Sequence, residues 1–351
     1  MKHYSFSIGF TVLCMGAAAY WGMHSGLGIW AALWLTLVLG ILEVSLSFDN
    51  AVVNASVLKT MDAFWQKMFL TIGILIAVFG MRLVFPVLIV AVMTGTGISA
   101  VIDMALNDSE RYGEVLTSAY PMIAAFGGSF LLMVFLSFAL DEERDIHWLG
   151  LLERKIAAIG KLESIEIVVA LLVVIATAAA IDEALQYKVL LSGVAGIILF
   201  VIISSLDSLF ESPESSGNTA EVVARNGAMS FLYLEVLDAS FSFDGVIGAF
   251  AITRDVVIIM LGLAIGAMFV RSMTIDLVRR GTLDEFIYLE HGAMYAIGVL
   301  ALIMFLGTQI HVPEVITGLI GVAFIAASLW SSIRHNRKGA RGCANASTIG
   351  E

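Results

Sequence analysis

Long apolar stretches recur along this chain, and they constrain its fold more than any other feature. A transmembrane α-helix needs about 20 apolar residues, and the sequence contains about ten stretches of this kind: residues 6–22, 27–54, 68–92, 118–140, 165–181, 188–207, 228–251, 255–278, 286–308 and 312–333. Only 14% of the 351 residues are charged, against roughly 25% in soluble domains. The sequence therefore predicts an all-α, polytopic membrane helix bundle of about ten spans.

The lysines and arginines predict the orientation of these spans, because both residues are enriched in cytoplasmic loops. With ten spans and a cytoplasmic N-terminus, fourteen of the 19 fall in inside segments, three in outside segments and two within spans. We therefore expect both termini in the cytoplasm, a polar cytoplasmic tail at residues 336–351, and a location in the bacterial inner (plasma) membrane. No basic stripe suited to nucleic acid is present in the sequence.

An internal repeat carries the most informative residues. Residues 42–54 read LEVSLSFDNAVVN and residues 234–249 read LEVLDASFSFDGVIGA. Both contain an acid, two serines and the Ser-Phe-Asp triplet in the same register. The motifs lie in the second and seventh predicted spans, and because these differ by five, an odd number, the two segments run in opposite directions. We predict two inverted five-span repeats, residues 1–183 and 184–335, as in transporters that bind their substrate near the membrane midplane.

The predicted spans contain more acidic than basic groups. The acids are Glu43, Asp49, Glu235, Asp238 and Asp244, and the bases are Arg82 and Arg271. Charged groups inside a membrane are costly and usually mark ion or proton pathways. One interpretation is that the acids only pair with the two arginines. Two cations cannot neutralise four or five anions, however, so a bound cation or shared protons are also expected.

Helical geometry places part of the first motif on one face. At about 100° per residue, Ser47, Asn50 and Asn54 lie within about 40° of Glu43, whereas Asp49 is about 120° away. Either the helix unwinds at the motif, or Asp49 turns toward a neighbour such as an arginine.

The second motif has the same pattern. Asp238 shares a face with Ser242 and Gly245, while Asp244 lies off it. Gly245 and Gly248 predict that this helix unwinds more easily than the first.

These side chains suggest the chemistry of a metal site. The predicted ligands are Glu43, Asp49, Asn50, Asp238 and Asp244, with Ser47, Asn54, Glu235 and Ser242 as further candidates. Carboxylate, amide and hydroxyl oxygens suit hard cations such as magnesium, calcium or manganese. Composition does not separate these three metals.

Three segments resemble a known family: LEVSLSFDNAVVNA, LEVLDASFSFDGVIGAFAIT and RSMTIDLVRRGTLDEFIYLEHG. They are similar to the TerC integral membrane family, named for tellurium resistance, in the branch catalogued as a domain of unknown function. The resemblance covers roughly residues 27–335. It implies manganese(II) export, with Glu43, Asp49, Asn50, Asp238 and Asp244 at the positions of the family's acidic motifs. The second motif departs from the family's shorter form by Glu235 and Gly245.

We therefore expect a divalent-cation transporter of the lipid bilayer, a manganese(II) exporter above all. Protons are the expected counter-ion, because clustered carboxylates cannot all stay ionised without a bound cation. One alternative is a non-transporting membrane component of tellurite or envelope-stress resistance. A more remote alternative is an intramembrane aspartyl protease using Asp49 and Asp244, but the Gly-x-Gly-Asp element of such enzymes is absent around both residues. No enzymatic activity is expected.

Outside the motifs, Glu290 and His291 suggest a proton relay near the cytoplasmic end of the ninth span, because histidine titrates near neutral pH. The alternative for His291 is an ordinary residue at the membrane interface. Residues 141–164 have the pattern of an amphipathic surface helix, and residues 208–226 have the composition of a flexible linker.

Overall fold

The computed structural model describes residues 4–142, 144–162, 164–211, 219–310 and 312–348, and every element in these ranges is helical. In chain order the α-helices are α1 (Tyr4–His24), α2 (Ile29–Leu46), α3 (Phe48–Leu58), α4 (Ala63–Leu75), α5 (Phe85–Thr94), α6 (Ile98–Asn107), α7 (Ser109–Ala139), α8 (Leu151–Ala157), α9 (Ile165–Ala179), α10 (Glu183–Glu211), α11 (Thr219–Ile252), α12 (Val256–Arg280), α13 (Thr282–Glu285), α14 (Leu289–Gly307) and α15 (Glu314–Thr348). A π-helical segment, Ile76–Val84, joins α4 to α5, and a 3-10 turn, Ala158–Lys161, follows α8.

The predicted class of fold, an all-α membrane bundle, is confirmed. Within the described ranges, eight helical stretches are long and apolar enough to cross a bilayer: Tyr4–His24, Ile29–Leu46, Ala63–Thr94, Ser109–Ala139, Glu183–Ser205, Val256–Arg280, Leu289–Gly307 and Ile316–Arg337. Helices satisfy their own backbone hydrogen bonds, which the bilayer interior cannot do. The count of ten spans and the two repeats stay predictions.

Two predicted spans differ from these eight. The stretch 165–181 coincides with α9, which meets the segment Leu151–Lys161 at a bend of 97°. That pair forms either one broken span or a re-entrant loop. The stretch 228–251 lies in α11, which contains all the acids of the second motif and is not among the eight.

The connections also differ from the sequence-based expectations. Within 141–164, the described residues form the short helix α8 and the turn after it, not one amphipathic helix. The linker predicted at 208–226 is partly helical, because α10 ends at Glu211 and α11 begins at Thr219; residues 212–218 lie outside the described residues. Much of the predicted tail is helical as well, since α15 extends to Thr348.

The largest apolar core lies where α7 packs against α10 and α14. It includes Phe130 and Met133 of α7, Ile197 of α10 and Ile297 of α14, all at most 3% exposed. Helix α1 is peripheral: only 22% of its apolar 18-residue stretch is buried, against 61% for α12 and 67% for α14. The first motif lies on α2 and α3, which pack against the central helix α12.

Candidate cation site

The two motif segments run antiparallel to each other. One cavity, which we call the hydroxyl-lined cavity, is lined from residues 56–60, at the end of α3 and just beyond it, and from residues 229–233 of α11. Residues 39–43 of α2 and residues 248–252 of α11 line another, the apolar cavity. The end of the first segment therefore lies beside the early part of the second, and the start of the first segment lies beside the end of the second.

Two amide side chains of the first motif bind an aspartate of the second. Asn50 Nδ2 donates to Asp238 Oδ1 at 3.0 Å, and Asn54 Nδ2 donates to the same oxygen at 2.8 Å. The two asparagines are four residues apart and so lie on one helix face. The motifs are 188 and 184 residues apart at these contacts, and they meet at Asp238.

Glu43 forms a buried ion pair with Arg82. Arg82 Nη2 donates to Glu43 Oε1, and the two side chains are 7% and 6% exposed. Arg82 lies in the π segment and also donates from Nη1 to the carbonyl oxygen of Ala77 at 2.6 Å. π-helical turns are rare and recur at functional sites. The first motif thus contains one carboxylate held by a cation of the next span.

Two glycines leave room for Glu43. A Cβ at Gly266 of α12 would collide with Cβ and Cγ of Glu43, and a Cβ at Gly245 of α11 would lie 2.9 Å from Glu43 Oε2. The close approach of three helices therefore depends on the absence of side chains at both positions.

Asp49 lies beyond this ion pair. It is in the first turn of α3, where a negative charge is favoured by the helix dipole, and its Oδ1 accepts from the backbone N–H of Asn50 at 3.0 Å. A Cβ at Gly321 of α15 would lie 3.0 Å from Asp49 Oδ2. Asp49 therefore faces α15. The side chain of Asp244 lies outside the described residues.

The second arginine has a different environment. The guanidinium carbon of Arg271 lies 3.9 Å from the centre of the Phe69 ring. A Cβ at Gly73 would collide with Glu235 Oε1 and lie 2.5 Å from Arg271 Nη2. Among the described residues, Nε and Nη2 of Arg271 and both carboxylate oxygens of Glu235 have no hydrogen-bond partner. Here an acid and a base are close together without a hydrogen bond between those atoms.

These residues surround a small cavity, which we call the central cavity. Its polar lining consists of Glu43, Ser47, Asn50, Asn54, Arg82, Asp238, Ser242, Arg271 and Thr274. Its volume is about 20 Å³, whereas a single water needs roughly 10–15 Å³. It therefore has room for about one water or one ion.

Unpaired oxygen atoms surround this cavity. Asn50 Oδ1, Asn54 Oδ1 and Ser242 Oγ are buried and have no hydrogen-bond partner among the described residues. Buried acceptors of this kind are costly unless a donor or a cation satisfies them. The oxygens therefore suit a hard cation.

The predicted ligands among the described residues are spread over two neighbouring cavities. Among the described residues, no three His, Cys, Asp or Glu side chains are close enough to hold a metal ion together. Asp49 lies in a neighbouring cavity of about 50 Å³, the side cavity, which shares Glu43, Ser47 and Asn50 with the central cavity. Two described motif carboxylates, Glu43 and Asp238, line the central cavity itself.

The match to a family model includes most of this site. Residues 48–339 match the model described as Protein of unknown function (DUF475). The chain belongs to this family. No curated protein and no solved structure matches it. The match includes Asn50, Arg82, Asp238 and Arg271 and begins five residues after Glu43; membership of TerC stays a prediction.

Sequence reasoning singled out Gly245 of this DUF475 chain but missed the other glycines around the site. Gly262 and Gly266 of α12 form a Gly-x-x-x-Gly pattern, which marks close helix packing in membranes. A Cβ at Gly262 would lie 2.5 Å from that of Leu39. That pattern could have identified α12 as a helix that packs closely against a neighbour. Gly321 and Gly73 had no comparable sequence signal.

The suggested relay residues of the DUF475 chain lie in another region. His291 is 4% exposed, and its Nε2 donates to the carbonyl oxygen of Ile146 at 2.9 Å. The same nitrogen is 4.0 Å from Oε2 of Glu153. The other carboxylate oxygen of Glu153, Oε1, accepts a hydrogen bond from Tyr295 Oη at 2.9 Å. Glu290 lines the hydroxyl-lined cavity. His291 is therefore a buried anchor for the loop after α7, and the proton relay stays a prediction.

Proposed function

We propose that the protein exports a divalent cation, with manganese(II) as the first candidate. The observation that carries this proposal is the contact of Asn50 and Asn54 with Asp238 beside the central cavity. The two motifs bring carboxylate, amide and hydroxyl oxygens to one small buried space. Such oxygens bind magnesium, calcium and manganese in preference to softer metals.

The charges of the central cavity support a cation rather than an anion as the substrate. The acids Glu43 and Asp238 line it beside Arg82 and Arg271, and Glu235 lies next to Arg271. Three carboxylates against two guanidinium groups leave the site negative when all are ionised. A divalent cation would offset this negative charge and bind the unpaired oxygens.

Two cavities flank this site along α11. The apolar cavity shares Glu43 with the central cavity. The hydroxyl-lined cavity, of about 430 Å³, lies at the opposite end of α11 and shares no lining residue with the central cavity in the described chain. We propose that one half of the bundle rocks against the other, so that the site opens to each side in turn.

Protons are the proposed counter-ion, because cation and proton compete for the same carboxylate oxygens. Release of the cation leaves carboxylates close together in a medium of low dielectric constant, where protonation relieves their repulsion. We place the protein in the bacterial inner membrane with both termini in the cytoplasm, on the charge asymmetry of the loops.

The test is manganese flux through the purified protein in liposomes that contain a metal-quenched dye. We expect Asp238→Asn to abolish saturable flux, because it removes the charge on which the two motifs converge. A matched control is Asp103→Asn on α6, an exposed aspartate that accepts a hydrogen bond from Asn107. We expect this control to transport like the unmodified protein.

Full manganese flux in Asp238→Asn would contradict the proposed site. Absence of flux in the unmodified protein, together with full tellurite resistance of cells carrying Asp238→Asn, would favour the non-transporting alternative instead.

A further inference from the structure

The ion pair between Arg82 and Glu43 has the geometry of an internal competitor for the cation. Both side chains line the central cavity, and both are nearly inaccessible to solvent. The guanidinium is anchored twice, by the carboxylate of Glu43 and by the carbonyl oxygen of Ala77. A positive charge is thus already fixed beside the oxygens that would bind a substrate.

The size of the cavity makes joint occupancy unfavourable. A volume of about 20 Å³ holds one water or one ion. A divalent cation beside a guanidinium would also be strongly repelled at short range in a medium of low dielectric constant. Glu43 Oε1 is engaged by Arg82, and Asp238 Oδ1 is engaged by two amides. A cation that takes Oε1 of Glu43 must therefore displace Arg82 from that oxygen.

Arg82 and Arg271 differ in how they bind the acids of the motifs. Arg271 lies over the ring of Phe69, and its Nε and Nη2 have no hydrogen-bond partner in the described part of the chain. Only the arginine of the π segment forms a charge-assisted hydrogen bond with a motif acid in that part. The π turn is the local feature that distinguishes the two positions, because α12 is regular around Arg271.

We propose that Arg82 is a tethered counter-cation, which neutralises Glu43 while the site is empty and is displaced when a divalent cation binds. This inference rests on the proposed function. Arg82 acts as a positioning and selectivity residue: an entering ion must bind the cavity oxygens more strongly than the guanidinium does. Monovalent ions fail this condition, and a small divalent ion meets it. The return of Arg82 would also expel the cation and complete the transport cycle.

The experiment measures manganese binding and flux in Arg82→Gln. Removal of the competitor is expected to tighten manganese binding by roughly 5- to 150-fold, the usual range for coupling between two sites. Flux is expected to fall, because nothing expels the ion. Sodium should also begin to compete with manganese. A residue needed only for folding would give weaker binding, so the direction of the change separates the two roles.

The matched control is Arg254→Gln. Arg254 forms an ion pair with Glu110, but the two side chains are 66% and 65% exposed, and neither lines the central cavity. We expect unchanged binding and flux. If Arg82→Gln cannot be purified, because Glu43 is left buried and unpaired, Arg82→Lys replaces it. A lysine cannot hold both Glu43 and Ala77 in the same way, so binding should still tighten, by a smaller factor.

Unchanged or weaker manganese binding in a folded Arg82 variant would overturn the tethered counter-cation. Absence of manganese binding in the unmodified protein would overturn the proposed function instead. The two failures are therefore distinguishable in one series of measurements.

Discussion

The two motif segments have similar sequences but different backbones. The first is interrupted at Ser47 (φ −104°, ψ 21°), between α2 and α3, whereas the second lies within the uninterrupted helix α11. This is the reverse of the sequence-based prediction, which expected the glycines of the second motif to favour unwinding. Gly245 instead gives space to the carboxylate of Glu43. The glycine content of a motif therefore does not decide which of the two is interrupted.

The break in the first segment has a consequence for its two acids. It leaves Glu43 on α2, directed at Arg82, and places Asp49 in the first turn of α3, directed at α15. A continuous helix would separate the same residues by about 120° around one axis. In the interrupted segment Glu43 thus lines both the central and the side cavity, whereas Asp49 lines the side cavity. The continuous segment supplies Asp238 as the meeting point.

The largest effect is expected from neutralising the aspartate of either Ser-Phe-Asp triplet. We predict that Asp49→Asn and Asp244→Asn each abolish cation-dependent activity while the protein stays inserted and folded. Loss of a charge from the membrane interior eases insertion, so a loss of flux at normal expression would point to chemistry. Retained flux in both variants would remove these aspartates from the site.

A smaller effect is expected when the space around Glu43 is filled. In Gly266→Ala the new methyl group collides with the stem of Glu43, and overpacking of this kind costs about 1–3 kcal/mol of stability. We expect a lower thermal unfolding temperature and a clear loss of flux. Gly245→Ala should be milder, because it meets only the flexible end of the same side chain.

The control for both glycines is Gly9→Ala on α1, where a Cβ has no neighbour within 4 Å in the described chain. We expect it to behave like the unmodified protein. Equal effects of Gly266→Ala and Gly9→Ala would show that the contact between α2 and α12 does not position Glu43.

The smallest effect concerns pH. Because protons compete with the cation for carboxylate oxygens, manganese affinity should fall as the pH drops through the mildly acidic range. Measurement of manganese binding between pH 5 and pH 8 tests this. If the affinity of the unmodified protein does not change over that range, proton coupling is excluded.

Much of the fold could be predicted because apolar stretches of span length have few structures available in a bilayer. Both motif segments and both arginines were also evident, since charges are rare inside spans. The break at Ser47 could not be predicted, because neither Gly nor Pro marks it. The direction of Asp49 was equally hidden, since its neighbour Gly321 is distant in the sequence.

The number of crossing helices was harder to predict than their positions. Residues 151–179 satisfy the length criterion only as a pair bent by 97°, and hydropathy does not report a bend. The π segment was hidden for the same reason, because Ile76–Val84 is apolar apart from Arg82 and has the pattern of an ordinary span.

The central claim is that one divalent cation binds between the two motif segments. Crystals soaked in manganese and measured for anomalous scattering test it most directly. We predict one peak in the central cavity, within coordination distance of Asp238 and of the side-chain oxygens of Asn50 and Asn54, with Arg82 displaced from Glu43. No peak there at saturating manganese, or a peak only at surface carboxylates, would contradict the account.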